Sequence, residues 1–276
     1  MEITLLDFIS ELSIYPALII TTILTLGVII VNGWTDAPNA IATSVSTRSI
    51  RTGAAIFMAA VFNLLGVLAM TLVNQKVAET IYNMVDFHGD VDDALVALCA
   101  AMIAIVLWAT AAWAFGIPTS ESHALIAGVS GAAIALQGGF SGINGSEWIK
   151  VLYGLGLSTG LGFVLGFVMV RLVELIFRRM DHFKAGKFFG KAQIFSAAGM
   201  AFMHGAQDGQ KFIGIFLLGM FLAKGQAETA EVIIPIWLMV ICAAVMGLGT
   251  SIGGYLDNQV CRDGYGQAGK ISGVFC

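Results

Sequence analysis

Residues 14–47 read IYPALIITTILTLGVIIVNGWTDAPNAIATSVST. An apolar run over 14–31 leads into Gly33-Trp34-Thr35-Asp36-Ala37-Pro38-Asn39, after which smaller apolar residues resume. A hydrocarbon core about 30 Å thick takes about 20 helical residues, so the segment is longer than one span needs. An Asp at the centre of a span costs about 2.5–3.5 kcal/mol on insertion scales. The stretch 194–223 repeats the design, with Gly205-Ala206-Gln207-Asp208-Gly209-Gln210-Lys211 in its middle. The two polar cores align in frame, Gly33 on Gly205 and Asp36 on Asp208. Two such segments running in opposite directions predict a pair of broken helices in an inverted repeat.

The rest of the chain has the composition such segments require. Of 276 residues, 58% are hydrophobic and 12% charged, with a mean hydropathy of +0.86. Soluble domains carry about 25% charged residues, so a water-soluble enzyme or binding module is excluded. An all-α polytopic membrane protein is the expected fold class. Gly is frequent (33) and Pro rare (4), as in tightly packed spans. The net charge of −4 gives no reason to expect nucleic acid as a partner. Cys99 and Cys242 lie in apolar runs and Cys261 and Cys276 near the end, which is no disulfide framework. Glu2, Asp7 and Glu11 leave the N-terminus without the basic region of a signal peptide, so the first span is expected to stay in the protein.

Further apolar stretches cover about 54–73, 94–115, 149–170, 212–223 and 232–252, with interrupted ones at 117–136 and 194–202. The shorter pieces are expected to join neighbours or to be re-entrant, because a span needs about 20 helical residues and irregular backbone at depth needs protein or water beside it. Arg171, Arg178, Arg179, Lys184, Lys187 and Lys191 crowd one loop, and Arg48 and Arg51 mark a second basic turn. The positive-inside rule makes both cytoplasmic. The loop 74–93 has Glu79, Asp86, Asp90, Asp92 and Asp93 against Lys76 alone, and is expected outside. The predicted organisation is a first transmembrane repeat (1–170), a basic cytoplasmic loop (171–193), a partial second repeat (194–255) and an irregular tail (256–276). Its place is the inner or plasma membrane, with multiple passes.

Three motifs carry chemistry. Asp36 and Asn39, spaced i, i+3, are expected to present a carboxylate and an amide oxygen on one helix face. Such oxygen ligands suit Na⁺, or a proton carried by the Asp, and Asp208 offers the same in the second copy with Lys211 beside it. In Ile117-Pro118-Thr119-Ser120-Glu121-Ser122-His123, Pro118 suits the first turn of a helix. Thr119, Ser120 and Ser122 then surround a helix N-terminus, where free N–H groups and the dipole favour an anion. The plainer reading of these hydroxyls is N-capping. His123 and His204 read as satisfied hydrogen-bond donors rather than ligands, and Glu121 has no assigned role. No Cys/His spacing resembles a metal site.

These motifs resemble those of the inorganic phosphate transporter (PiT) family. Gly33-Trp34-Thr35-Asp36-Ala37-Pro38-Asn39-Ala40 is similar to its Gly-Ala-Asn-Asp-Val-Ala-Asn-Ala signature. Phe202-Met203-His204-Gly205-Ala206-Gln207-Asp208 is similar to the second copy, and residues 117–123 to its Pro-[hydrophobic]-Ser-[Ser/Thr]-[Ser/Thr]-His hairpin. The resemblance runs from near residue 20 to near 255. It implies an inverted-repeat, cation-coupled symporter of phosphate with a re-entrant hairpin. Asp36, Asn39 and Asp208 would then bind the coupling Na⁺ or H⁺. Thr119, Ser120 and Ser122 would hold the oxyanion, and Gln207 and Lys211, which the resemblance does not supply, are further candidates for binding it. No cofactor beyond the coupling ion is implied, and a homodimer is left open.

The chain departs from the pattern in two ways. The family has Asn at the position of Lys211, and Asn before the aspartate where this chain has Thr35 and Gln207. A fixed ammonium at Lys211 either stands in for one coupling cation or contacts the anion. After Gly254 the family continues with further spans, whereas 256–276 is polar and Gly-spotted. The expectation is a C-terminally truncated or frame-slipped bacterial-type member with an incomplete second repeat. Two alternatives stand beside phosphate symport. One is a sulfate or related oxyanion permease. The other is an intramembrane serine hydrolase using Ser120 or Ser122 with His123, for which no oxyanion-hole motif is evident.

Overall fold

In the computed structural model, which describes residues 4–87, 90–115, 117, 119–223 and 234–264, the structure is almost wholly helical. Thr4 and Asp7 form a reciprocal capping box that starts α1, Leu5–Ile14. Pro16, whose missing N–H costs nothing in a first turn, opens α2, Pro16–Ser46. Then come α3, Thr52–Val73, a short α4, Lys76–Asn83, and α5, Val91–Phe115. Ser120 caps α6, Glu121–Gln137, and Asn144 caps α7, Gly145–Phe177. A second long helix, α8, runs His182–Ala223, and α9 runs Ile236–Gly264. Among the described residues, five helices (α2, α3, α5, α7 and α9) are long and apolar enough to cross a membrane.

The bundle is built around α2 and α8, which lie antiparallel. Near one end Thr47 and Ser49 hydroxyls donate to Gln193 Oε1 at 2.6 and 3.1 Å, and near the other Gly219 faces Leu18 and Thr21. Helices α3 and α9 close on this pair at glycine contacts. A Cβ at Gly205 of α8 would collide with the backbone of Asn63 in α3, and one at Gly66 with Phe202 O. A Cβ at Gly249 of α9 would likewise collide with Ile30 O of α2. Without lipid-driven burial between helices, such close backbone approach is a main source of membrane-helix association. The shared core includes Ile29, Leu95, Leu98, Met102, Leu125, Ile213 and Leu217, all essentially inaccessible.

Helices α5 and α6 form the expected hairpin. Asp86 N–H donates to Gly142 O at 2.8 Å and Asn144 N–H to Met84 O at 3.0 Å. The hairpin therefore opens and closes at the same end of the molecule. The acidic residues Glu79, Asp86, Asp90, Asp92 and Asp93 belong to this end. Arg48, Arg51 and the basic start of α8 share the opposite one. In α7 none of the residues in the apolar spanning stretch is buried, so this helix stands at the periphery.

Three expectations are corrected. Helices α2 and α8 are not broken; each runs continuously through its polar core. Asn32 bridges the aspartates of the two cores from within the helix, so no backbone break is needed to satisfy them. Pro38 offers no N–H to Trp34 O, and that carbonyl packs directly on Gly253 of α9. The basic segment 171–193 is helical apart from 178–181, because its charges sit on the ends of α7 and α8. The apolar run 212–223, too short to span alone, joins its neighbour as the end of α8. Of the expected irregular tail, 256–264 continues α9, while 265–276 lies outside the described residues.

Candidate functional site

Where α2, α8 and the start of α6 converge, polar side chains from three elements meet inside the bundle. On α2, Asn32 and Asp36 stand one turn apart, and Thr35 lies between them on the adjoining face. Asn32 is fully buried, and its Nδ2 donates to Asp36 Oδ2 at 3.2 Å and to Asp208 Oδ2 at 3.3 Å. One amide thus holds together the carboxylates of the two sequence motifs. On α8, Lys211 Nζ donates to Asp208 Oδ1 at 2.5 Å, the i, i+3 pair that the spacing allows. From α6, Ser122 Oγ donates to Asp208 Oδ1 at 3.4 Å and accepts from Lys211 Nζ at 2.5 Å. Thr35 Oγ1 reaches Glu121 Oε1 at 3.3 Å, although its shorter bond is to Val31 O at 2.9 Å.

His204 completes the cluster from α8. Its Nε2 lies 3.5 Å from Asp208 Oδ2 and 3.8 Å from Asp36 Oδ2, and its Nδ1 lies 3.1 Å from Asn63 Oδ1 of α3. One ligand atom each from Asp36, His204 and Asp208 falls within 4.8 Å of the others. Three carboxyls face one ammonium here, so with His204 neutral and all else ionised the cluster sums to −2. Asn32 Oδ1, Glu121 Oε2 and His204 Nε2 are buried without hydrogen-bond partners. Excess acid and unpartnered oxygen in one place are the features of a cation site.

The residues singled out in the sequence fare differently. Asp36, Asp208, Lys211 and Ser122 are brought together. Thr119 and Ser120 are not. Thr119 Oγ1 accepts from Trp108 Nε1 at 2.9 Å, and Ser120 Oγ accepts from the His123 backbone N–H at 3.5 Å, the capping role. Asn39 and Gln207 are exposed, which corrects the expectation that Asn39 shares a face with Asp36. From residue 36 the next turn on the inward face leads back to Asn32 at i−4. His204 is a ligand candidate and a hydrogen-bonded ring at once. The sequence reading did not single out Asn32, Asn63 and Thr250. Their signal was faint: single polar residues in otherwise apolar spans.

With this geometry described, the relatives can be placed. The profile described as the phosphate transporter family matches residues 32–256, which contain the whole cluster. The chain belongs to the phosphate transporter family. It is 40% identical over 225 residues to a Bacillus subtilis protein named "Probable low-affinity inorganic phosphate transporter", covering 82% of this chain and 66% of that one. It is 34% identical over 216 residues to the Escherichia coli K12 low-affinity inorganic phosphate transporter PitA, covering 68% and 42%. The chain therefore spans just under two thirds, or less, of the length of these relatives. A solved structure titled "The sodium-dependent phosphate transporter" has the same fold, with a TM-score of 0.73 at 19% identity over 95% of this chain and 81% of that one. Like other members of the phosphate transporter family, this is a membrane protein and not an enzyme. The serine hydrolase alternative fails on geometry as well, since the Ser120–His123 contact is a backbone cap and the His123 side chain is exposed.

Proposed function

We propose that the chain is a cation-coupled symporter of inorganic phosphate. The observation that carries this reading is the meeting of Asp36 and Asp208, from two antiparallel helices with matched motifs, at the N-terminus of α6. The opposed directions of α2 and α8 also support the inverted repeat. Asp36 and Asp208 hold the coupling Na⁺ or H⁺, with Asn32 taking the amide position that the spacing had assigned to Asn39. The free N–H groups and positive dipole end of α6, with Ser122 and Lys211, receive the anion. Thr119 and Ser120 shape that helix start.

Phosphate is favoured over sulfate because at neutral pH it still carries a proton. Carboxylates beside the anion accept a hydrogen bond from phosphate that sulfate cannot give. Radiolabelled phosphate uptake into proteoliposomes, driven by an imposed Na⁺ or proton gradient and competed with sulfate, tests the proposal. Accumulation that needs the gradient, resists excess sulfate and is lost in Asp208→Asn is expected. Gradient-independent leakage, or equal competition by sulfate, overturns symport or phosphate selectivity respectively.

A further inference from the structure

A chain of hydrogen bonds runs from α9 through α3 into the cluster, and its polarity can be read from one end. Thr250 of α9 is fully buried, and its hydroxyl donates to Met246 O at 3.0 Å. With that proton committed, Thr250 Oγ1 is left as an acceptor for Asn63 Nδ2 at 2.8 Å. The amide of Asn63, itself buried, is thereby oriented. Its NH₂ faces Thr250 and its Oδ1 faces His204. A carboxamide oxygen only accepts, so the 3.1 Å contact with His204 Nδ1 requires an N–H on Nδ1. In a neutral imidazole the other nitrogen then carries a lone pair. That nitrogen is Nε2, which makes no hydrogen bond and points between Asp208 and Asp36.

We infer that Asn63 and Thr250 are positioning residues that lock His204 in its Nδ1–H tautomer and so present a bare Nε2 to Asp36 and Asp208. A ligating imidazole is commonly oriented in this way by a partner on its second nitrogen. The backbones are spaced for it. Gly205 follows His204 directly and lets α8 lie against the main chain of Asn63, where a Cβ would collide. A lone pair facing two carboxylates is repelled unless positive charge lies between them. Resting on the cation-site reading proposed above, Nε2 becomes a further ligand atom of that site, a nitrogen beside the two carboxylate oxygens and the Asn32 amide.

The test is nitrogen-15 magnetic resonance on the full chain in lipid nanodiscs, with labelled histidine and His204 assigned by loss of its signals in His204→Gln. The expected wild-type spectrum has a pyrrole-type Nδ1 and a pyridine-type Nε2 for His204. Thr250→Val frees the Asn63 amide to rotate and should bring in the second tautomer, whereas Thr250→Ser, which keeps the hydroxyl, should restore the single pattern. A wild-type spectrum with the proton on Nε2 overturns the relay, and so does a Thr250→Val spectrum identical to the wild type. Replacing choline chloride by NaCl, or lowering the pH in choline, tests the parent reading separately. If neither moves the Nε2 resonance, His204 is no ligand, while the tautomer result stands by itself.

Discussion

Lys211 Nζ sits 2.5 Å from Asp208 Oδ1 and 2.5 Å from Ser122 Oγ, so one ammonium joins a carboxylate of α8 to the first turn of α6. Both members of the ion pair are largely enclosed, with side-chain exposures of 18% and 11%. At that depth a lone charge is expensive and a paired one much less so. The same ammonium holds a serine hydroxyl at an anion-favouring helix end.

Lys211→Asn, the residue that the family pattern has here, separates the two roles of this contact. If the ammonium substitutes for a coupling ion, the variant loses uptake or regains it with a steeper dependence on Na⁺. If it binds the anion, the apparent KM for phosphate rises about tenfold or more with the ion dependence unchanged, as for loss of a charged hydrogen bond of about 1.5–3 kcal/mol. The closeness of the Lys211–Asp208 pair favours the first outcome. Uptake measured against external Na⁺ and against phosphate distinguishes them, and an unchanged response in both assays refutes both roles.

Ser122 and Ser120 should behave differently although they are two residues apart. Ser122 lies within the cluster and Ser120 caps α6. Ser122→Ala is expected to weaken phosphate affinity by about tenfold, the loss of one hydrogen bond to a charged group. Ser120→Ala is expected to lower stability by about 1 kcal/mol, as for other N-caps, with a smaller effect on affinity. Phosphate titration alongside thermal unfolding of each variant checks the contrast.

The aspartates, their frame-matched motifs and the pairing of Lys211 with Asp208 were legible because each lies in a local pattern of three or four residues. Asn32 was legible only in hindsight. Its value comes from reaching Asp208, 176 residues away in sequence, and no local spacing encodes that. Asn63 and Thr250 are likewise joined across 187 residues. The continuity of α2 and α8 was missed for a related reason. Polar residues in mid-span give the same sequence pattern whether the helix unwinds there or keeps its turns and finds partners on neighbours. Asn39 was misplaced because i+3 and i−4 both lie beside Asp36, and only packing decides which of them faces inward.

The contact between α3 and α8 predicts a second kind of failure. A methyl group added at Gly205 would overlap the main chain of Asn63, and backbone cannot step aside as a flexible side chain can. Overpacking of this kind costs about 1–3 kcal/mol. Gly205→Ala should therefore lower the unfolding temperature in detergent. It should also impair uptake more than its stability loss explains, because parting the helices moves Asn63 away from His204. Gly199→Ala, on the same helix where a Cβ meets nothing within 4 Å, is the control. Equal melting temperatures for the two variants would show that α3 and α8 do not approach this closely.

Asn32 gives the sharpest test of the paired carboxylates. Its Nδ2 serves Asp36 and Asp208 at 3.2 and 3.3 Å in a buried position. Asn32→Leu keeps a similar volume and removes both bonds, leaving two acids face to face with less to hold them. Buried carboxylates that lose a donor destabilise the fold by about 1–3 kcal/mol or more. A cation bound between the acids would offset part of this loss, since a ligand that binds only the folded form stabilises it by mass action. The variant should therefore unfold at a lower temperature than the wild type in choline chloride. Na⁺, or a lower pH if the coupling ion is a proton, should then raise its unfolding temperature by more than it raises that of the wild type. Asn32→Asp adds a further carboxylate at the same point, and should unfold still earlier in choline and gain still more from the cation. If all three proteins respond alike to both cations, Asp36 and Asp208 do not share an ion, and the amide bridge is a packing contact only.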